Sequence, residues 1–376
     1  MAKRSVGKPR FYAPLDQYLK AKGYYRGGKA AGVADGYIDA QEVWNMNPTQ
    51  PFKHTLSNEN NGYIYEFFIN TDPPETWNYN GVLPNENKEL QMLLSKSPET
   101  SDLSKSGFYL SALGHKILDT NAYSIRCEYF GSDGQGGTPN SKAIETSTEF
   151  DDNVNTGGLQ TGVTYNGYSI AHFNAWDSNE PLAYNIFRVY FKNPDGVMNE
   201  GQEASVGALS WGRWFEPEHS LDLQVTITDS YDGIKTQTTI GGNTLTNINY
   251  LSHDWGDLPA WTLEKQEGND YKIGGRDGRR QWKVSLSYLQ DDNLFHSVNN
   301  ENQFFSYDDE TDDYTFDASM SSFFKLSLMG KIPFLFTPDS SATNKEFAIC
   351  RITNKPSFKQ VANNLFSTNL VITEVF

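Results

Sequence analysis

Several stretches of this 376-residue chain alternate apolar and polar side chains with a period of two, and that period constrains the fold more than any other feature. Across residues 221–228, Leu221, Leu223, Val225 and Ile227 alternate with Asp222, Gln224, Thr226 and Thr228. This predicts a strand with one wet and one buried face, as in an antiparallel sheet. Residues 281–289 repeat the arrangement, with Trp282, Val284, Leu286 and Tyr288 opposing Lys283, Ser285 and Ser287. Tyr123, Ile125, Cys127 and Tyr129 follow the same period within 122–130, and residues 62–70, 184–191 and 369–376 read as strands, as does the set Phe324, Leu326 and Leu328. One short helix is expected over 15–22, started by Pro14, stopped by Gly23, with Leu15, Tyr18 and Leu19 on one face.

The expected class is therefore all-β with few short helices, and the composition agrees. Aromatic residues make up 14% of the chain, 21 Tyr, 23 Phe and 8 Trp, which supply large buried areas per residue in strands. A single core rarely grows beyond about 250–300 residues, so two domains are expected. The polar breaks at 232–244 and 307–317 favour a division near residue 230, giving units 1–230 and 231–376. The Gly-rich stretch 131–142 is expected to be an exposed, mobile loop.

Charge narrows the partners. A formal net charge of -16 argues against nucleic acid, because phosphate contacts need clustered Lys and Arg. No stretch approaches the roughly 18 apolar residues of a membrane span, and the first residues lack the apolar segment of a signal peptide, so synthesis in a cytoplasm is expected. Cys127 and Cys350 are too far apart in sequence for a disulfide framework or a closely spaced zinc site, and both are expected to be reduced and buried.

Motifs that carry chemistry are scarce. GVADGYIDAQE resembles the second half of a calcium loop ending at Glu42, but the first and third ligand positions fall on Ala31 and Val33, so an Asp-Gly turn is the favoured reading. The acidic residues 308–313 read as a solvated loop. Glu216, Glu218 and His219 lie close enough to share acid and base roles, yet Pro217 favours an extended strand entry. No nucleophile elbow, zinc-protease or phosphate-loop motif occurs, and the six histidines never fall at close ligand spacing. No catalytic residue, metal ligand or cofactor is assigned. Trp77, Trp176, Trp211 and Trp214 are candidates for stacking on sugar rings or for a protein interface, with core packing as the default for each.

A resemblance rests on segments that occur in order: VGALSWGRWFEPEHSLDLQVTITDSYDGIKTQTTIGGNTLTN, WGDLPAW, GRRQWKVSLSYLQDDNLF, GKIPFLFTPD, EFAICRI and FKQVANNLFSTNLVITEVF. Over 206–376 these resemble virion structural proteins of tailed bacteriophages, and SVGKPRFYAPLDQYLKAKG resembles the start of such proteins. The run of strand-like segments before them resembles a jelly-roll of the discoidin or carbohydrate-binding kind. The resemblance implies an N-terminal jelly-roll-like β-sandwich followed by a second β-sandwich or barrel-like domain. It implies a tail or tail-tip component of the virion, built into a homo-oligomeric ring and touching other virion proteins. An adhesin that binds host surface glycan and a capsid decoration or head-fibre protein are the alternatives.

The same segments admit a physical reading in terms of interfaces. Arg279 and Arg280 leave a turn before the Trp282 strand, placed for bidentate pairs with a neighbouring subunit's carboxylates or for balancing a local acidic field. Ile332, Phe334, Leu335 and Phe336 form a strand more apolar than a half-wet one, which calls for burial in a core or an interface. The last strand ends on Phe376, so it is expected to be packed into a sheet or donated to a neighbour.

Overall fold

The computed structural model describes residues 7–23, 25–33, 36–47, 52–55, 63–69, 106–115, 124–131, 140–144, 167–173, 184–192, 203–217, 219–230, 234–248, 279–290, 294, 305–308, 313–316, 320–341 and 347–375. In the first half the strands are β1 (Arg10–Pro14), β2 (Tyr25–Val33), β3 (Gly36–Asp39), β4 (Phe52–Thr55), β5 (Tyr63–Ile69), β6 (Ser106–His115), β7 (Ser124–Gly131), β8 (Asn140–Ile144), β9 (Gly167–Phe173), β10 (Tyr184–Lys192) and β11 (Glu203–Val206). Next come β12 (Ala208–Phe215), β13 (Thr226–Ser230), β14 (Ile234–Thr238), β15 (Thr244–Ile248), β16 (Arg279–Gln290), β17 (Phe305–Asp308) and β18 (Asp313–Phe316). The last four are β19 (Phe334–Thr337), β20 (Ala348–Ile352), β21 (Phe358–Ala362) and β22 (Leu365–Glu374). Helices α1 (Leu15–Ala21) and α2 (Met320–Leu326) and a 3-10 turn at Gln41–Trp44 complete the described elements. The protein is all-β.

A ten-stranded sheet runs β13-β16-β22-β20-β19-β1-β12-β6-β9, with β21 paired to β22, and a six-stranded sheet runs β3-β2-β5-β10-β7-β8. Every pairing within the large sheet is antiparallel. Strands from either side of residue 230 share it, since β1 lies between β12 and β19.

The middle of this sheet is covered on both faces. On β1, Phe11 and Ala13 enter one apolar cluster and Tyr12 the other, and on β12 Trp211 and Phe215 part from Trp214 in the same way. A strand buried on both faces needs a nearly continuous apolar run, which RFYAP and FLFT supply. Gly212 sits where β1 turns into α1; a Cβ there would overlap the Ala13 carbonyl oxygen and lie 2.7 Å from the Leu15 nitrogen. Helix α1 begins after extended Pro14 and is followed by Gly23 at φ +82, as expected, and it buries Leu15, Tyr18 and Leu19.

Three local expectations are corrected. The strand read over 221–228 is regular only from Thr226, and although Leu221 is buried, Leu223 is fully exposed. The segment before Thr226 keeps one backbone bond to β16, Asp222 N to Ser285 O at 3.0 Å, and has left the ladder that would hold its alternation. Phe324, Leu326 and Leu328 belong to α2 and the turn after it, not to a strand; Phe323 packs on Phe11 at 4.9 Å and Phe334 at 5.1 Å, so tertiary contact overrides an ambiguous short apolar run. Tyr288 is exposed because a register shift between Leu286 and Leu289 reverses the parity of β16 and buries Leu289 instead.

Strands read at 62–70, 122–130 and 184–191 appear as β5, β7 and β10. The terminal strand pairs with β16, β20 and β21 of its own chain. Strands β2 and β3 pair up to Val33 and Gly36, and β17 pairs with β18 up to Asp308 and Asp313; the rest of the Asp-Gly turn and of the acidic loop, at 34–35 and 309–312, lies outside the described residues. Most of the loop expected at 131–142 lies outside the described residues, at 132–139.

Candidate functional site

Three polar clusters stitch the large sheet. Glu216, just past β12, accepts from Lys8 Nζ at 3.0 Å, from Arg10 through NH2 at 2.8 Å and Nε at 2.9 Å, and from Ser340 Oγ at 2.9 Å. It therefore ties β1, β12 and the segment after β19 together. The Arg10 guanidinium lies 4.1 Å above the Trp214 ring, and burial pushes the neighbouring Tyr12 phenol up to about 12 despite that cation. His219, close to Glu216 in sequence, is exposed against Tyr288 at 5.5 Å, and Glu218 lies outside the described residues.

The second cluster is centred on Asp16, the first-turn carboxylate of α1, which is fully buried. Its Oδ1 accepts from Ser210 Oγ at 2.9 Å and Trp211 N at 3.3 Å, and its Oδ2 accepts from Gln17 Nε2 at 2.7 Å. Ser210 in turn shares a 3.1 Å hydrogen bond with the Tyr109 hydroxyl, while Gln17 and Lys20 donate to the Trp44 carbonyl. Burial raises the Asp16 carboxyl to about 6, against the opposing pull of the Gln17, Ser210 and Trp211 donors and the Lys20 charge. Burial likewise pushes Tyr109 upward and Lys20 downward.

In the third cluster Arg280 forks onto Glu374, NH2 to Oε1 at 3.0 Å and Nε to Oε2 at 3.3 Å, and NH2 also reaches the Phe347 carbonyl at 3.2 Å. Of the two readings of Arg280, a neighbouring subunit's carboxylate or a local one, the carboxylate it holds here is within the chain. Arg279 is half-buried at the start of β16, and Phe334 and Phe336 are core residues facing α2 and Trp282. Trp211 and Trp214 are buried as well, the default reading for both. Trp77, Trp176 and Phe376 lie outside the described residues. Cys350 is a buried free thiol pushed well up by burial.

Asp16 and Glu374 were not singled out by sequence reasoning. Glu374 carried a readable signal, because it falls in the apolar phase of Leu370 and Ile372, where a charge needs a partner. Asp16 looks like an ordinary first-turn acid, and nothing local marks it as buried.

Among the described residues no group of three or more His, Cys, Asp or Glu could hold a metal ion, and no helix is long and apolar enough to cross a membrane. Unlike the buried clusters, the hairpin β14–β15 pairs with no other strand among the described residues, and residues 235–247 are exposed on both faces apart from half-buried Thr239. Its tip is closed by Thr239 and Asn243 and by Gly242 at φ +80, and it holds Ile240 fully in water.

Fold and clusters together define an all-β chain whose large sheet is locked by internal ion pairs and which presents an exposed ribbon. No family model and no curated protein matches it. Two solved structures were found at low similarity. One, from work on cell entry of botulinum neurotoxin type C through interaction with two ganglioside molecules, has 7% identity, a TM-score of 0.19 and 94% coverage of each chain. The other, the binding domain of botulinum neurotoxin serotype C1, has 8% identity, a TM-score of 0.16 and the same coverage. Scores this low carry neither fold nor function to this chain.

Proposed function

We propose that the chain is a structural component of a tailed-phage virion, placed in the tail or tail tip and acting in assembly and mechanical connection. The ordered segments over 206–376 supply the context, and the observation that carries the reading is the β14–β15 ribbon. A lone two-stranded ribbon is marginal in water, and one exposed on both faces with an isoleucine at its tip is suited to lie on another protein surface. The polar clusters favour the same reading, since their ion pairs and hydrogen bonds connect strands of one sheet. A glycan-binding adhesin is the competing reading. The two candidate tryptophans within the described residues are closed in the core, so sugar stacking would fall to other aromatics.

The test is gold-labelled antibody against this protein on intact particles of the producing phage, read by electron microscopy. Label at the tail or its tip is expected. Label over the head selects a decoration protein, and unlabelled particles refute a virion role. Binding of the purified chain to host glycans would favour the adhesin.

A further inference from the structure

The large sheet has an open lane. Strands β20 and β21 both pair with β22 on the side away from β16, so they follow one another along it, Ile352 opposite Ile372 and Phe358 opposite Thr368. Beside β20 the next lane is filled by β19 and the residues before it, ending in a bond from Ile352 N to Gly330 O at 2.9 Å. Beside β21 no strand follows among the described residues: β21 pairs with β22 alone, and Lys359, Gln360, Val361 and Ala362 are all exposed. A strand bonded on one side turns the backbone donors and acceptors of its other side to solvent.

A fixed apolar turn stops this lane at the β20 end. Leu328, Met329 and Gly330 follow one another at φ 49, 59 and 74, and the Leu and Met side chains are each 39% exposed. Two consecutive non-glycine residues in the left-handed region are disfavoured, and they persist because Gly330 N bonds Ser327 Oγ at 2.9 Å and Ile332 N bonds Ser327 O at 3.0 Å. A Cβ at Gly330 would meet Ile352 at 2.5 Å. Helix α2 reaches β21 through Phe324, whose ring lies 5.3 Å from that of Phe358, and Val361 adds a second exposed apolar side chain on β21 itself.

Lysines border the lane. Lys331 lies just before β19 and its Nζ reaches the Ile352 carbonyl at 3.2 Å, Lys355 stands in the link between β20 and β21, and Lys359 belongs to β21. All three are exposed, and among the described residues none is paired with a carboxylate. The surrounding segment shares their sign: residues 318–373 carry five Lys and one Arg against Asp339 and Glu346, so the net -16 divides into +4 here and -20 elsewhere. Asp339 is buried and bonded to the Ser341 amide at 3.0 Å and hydroxyl at 2.6 Å, which leaves it no part in screening these cations.

Two copies joined edge to edge through β21 would set lysine against lysine, which opposes that pairing. The same lysines favour a strand of opposite sign. We infer that the free edge of β21 takes an extended acidic segment of a partner protein, which adds a strand there with its acids on the lysines and its apolar side chains over Leu328, Met329 and Val361. Single-stranded nucleic acid suits the lane less, because none of its exposed apolar side chains is aromatic and able to stack on a base. The contact goes beyond the assembly reading above: it does not use the β14–β15 ribbon and is measured in solution, so either can fail while the other stands.

Fluorescence anisotropy on the full-length chain tests it with a fluorescein-labelled peptide that alternates Glu and Val over about seven residues. This peptide should bind at least about tenfold more tightly than a Lys-Val peptide of the same length, and about tenfold or more weakly again when NaCl rises from about 50 mM to about 500 mM. Lys355→Glu with Lys359→Glu should reverse the preference, and because both side chains are exposed the circular dichroism should stay that of wild type. Two further peptides, N-methylated on every Glu or on every Val, test the wild-type chain alone. Strand addition bonds through alternate residues, so one of them should lose binding and the other keep it. No binding of the Glu-Val peptide, equal binding of the Lys-Val peptide, an unchanged preference in the double variant, or equal binding of the two methylated peptides would each overturn the contact. A single-stranded DNA oligonucleotide that binds where the Glu-Val peptide does not would overturn it in favour of nucleic acid.

Discussion

Replacing Asp16 with Asn should remove a pH dependence that the buried carboxyl imposes on the whole sheet. Its folded pKa is raised to about 6 from the usual 3.8, because burial costs the ionised form more than its donors return. At about 1.4 kcal/mol per unit, a rise of roughly two units is worth about 3 kcal/mol. The folded state holds this proton more tightly than the unfolded chain does. The stabilisation is therefore fully present below the unfolded value near 3.8 and is lost as pH rises through about 6. Asn cannot ionise, so the stability of the wild type relative to Asp16→Asn should fall by roughly 2–2.5 kcal/mol between pH 4 and pH 7. Urea unfolding followed by circular dichroism at several pH values, with both proteins in the same buffers, isolates this group from the other carboxylates. Profiles that stay parallel within about 1 kcal/mol would refute the argument, and with it the placement of Asp16 in a dry site.

Three further outcomes follow from the same geometry. Gly212→Ala should destabilise the fold by about 3 kcal/mol or more, because its methyl meets backbone of β1 and α1 that cannot rotate away; a midpoint in urea close to wild type would contradict that close approach. Leu221→Ala should cost about 2–4 kcal/mol and Leu223→Ser almost nothing, although both occupy the same phase of the sequence; equal costs would mean that the alternation extends through 221–225. Glu374→Ala should cost about 3–5 kcal/mol by stranding the Arg280 guanidinium, and adding Arg280→Met should return much of that loss. A single variant as stable as wild type in thermal melts would show that the pair is not closed from solvent.

Strand content was legible in the alternation of β7 and β16, because a half-buried strand writes its two faces into neighbouring residues, but the same alternation over 221–225 lies outside any strand. The helix α1 was legible for a related reason, since Pro14 and Gly23 act on backbone geometry within the segment itself. Helix α2 was not, because a short apolar run fits either period and Phe11 and Phe334 decide which is adopted. The bulge that turns Tyr288 outward and Leu289 inward is set by pairing with β22, many residues away. Burial of the aromatic strands could be expected from their composition, whether in a core or an interface, but their partners could not: that β1 lies between β12 and β19, and that Arg280 meets Glu374 within the chain, are long-range matters of register. By itself the sequence determined the class of fold and many of its strand-forming segments, which follow from local pattern and composition. Only the tertiary structure decided which strands share a sheet and which carboxylates are dry, because these depend on contacts between segments that carry no local mark of one another.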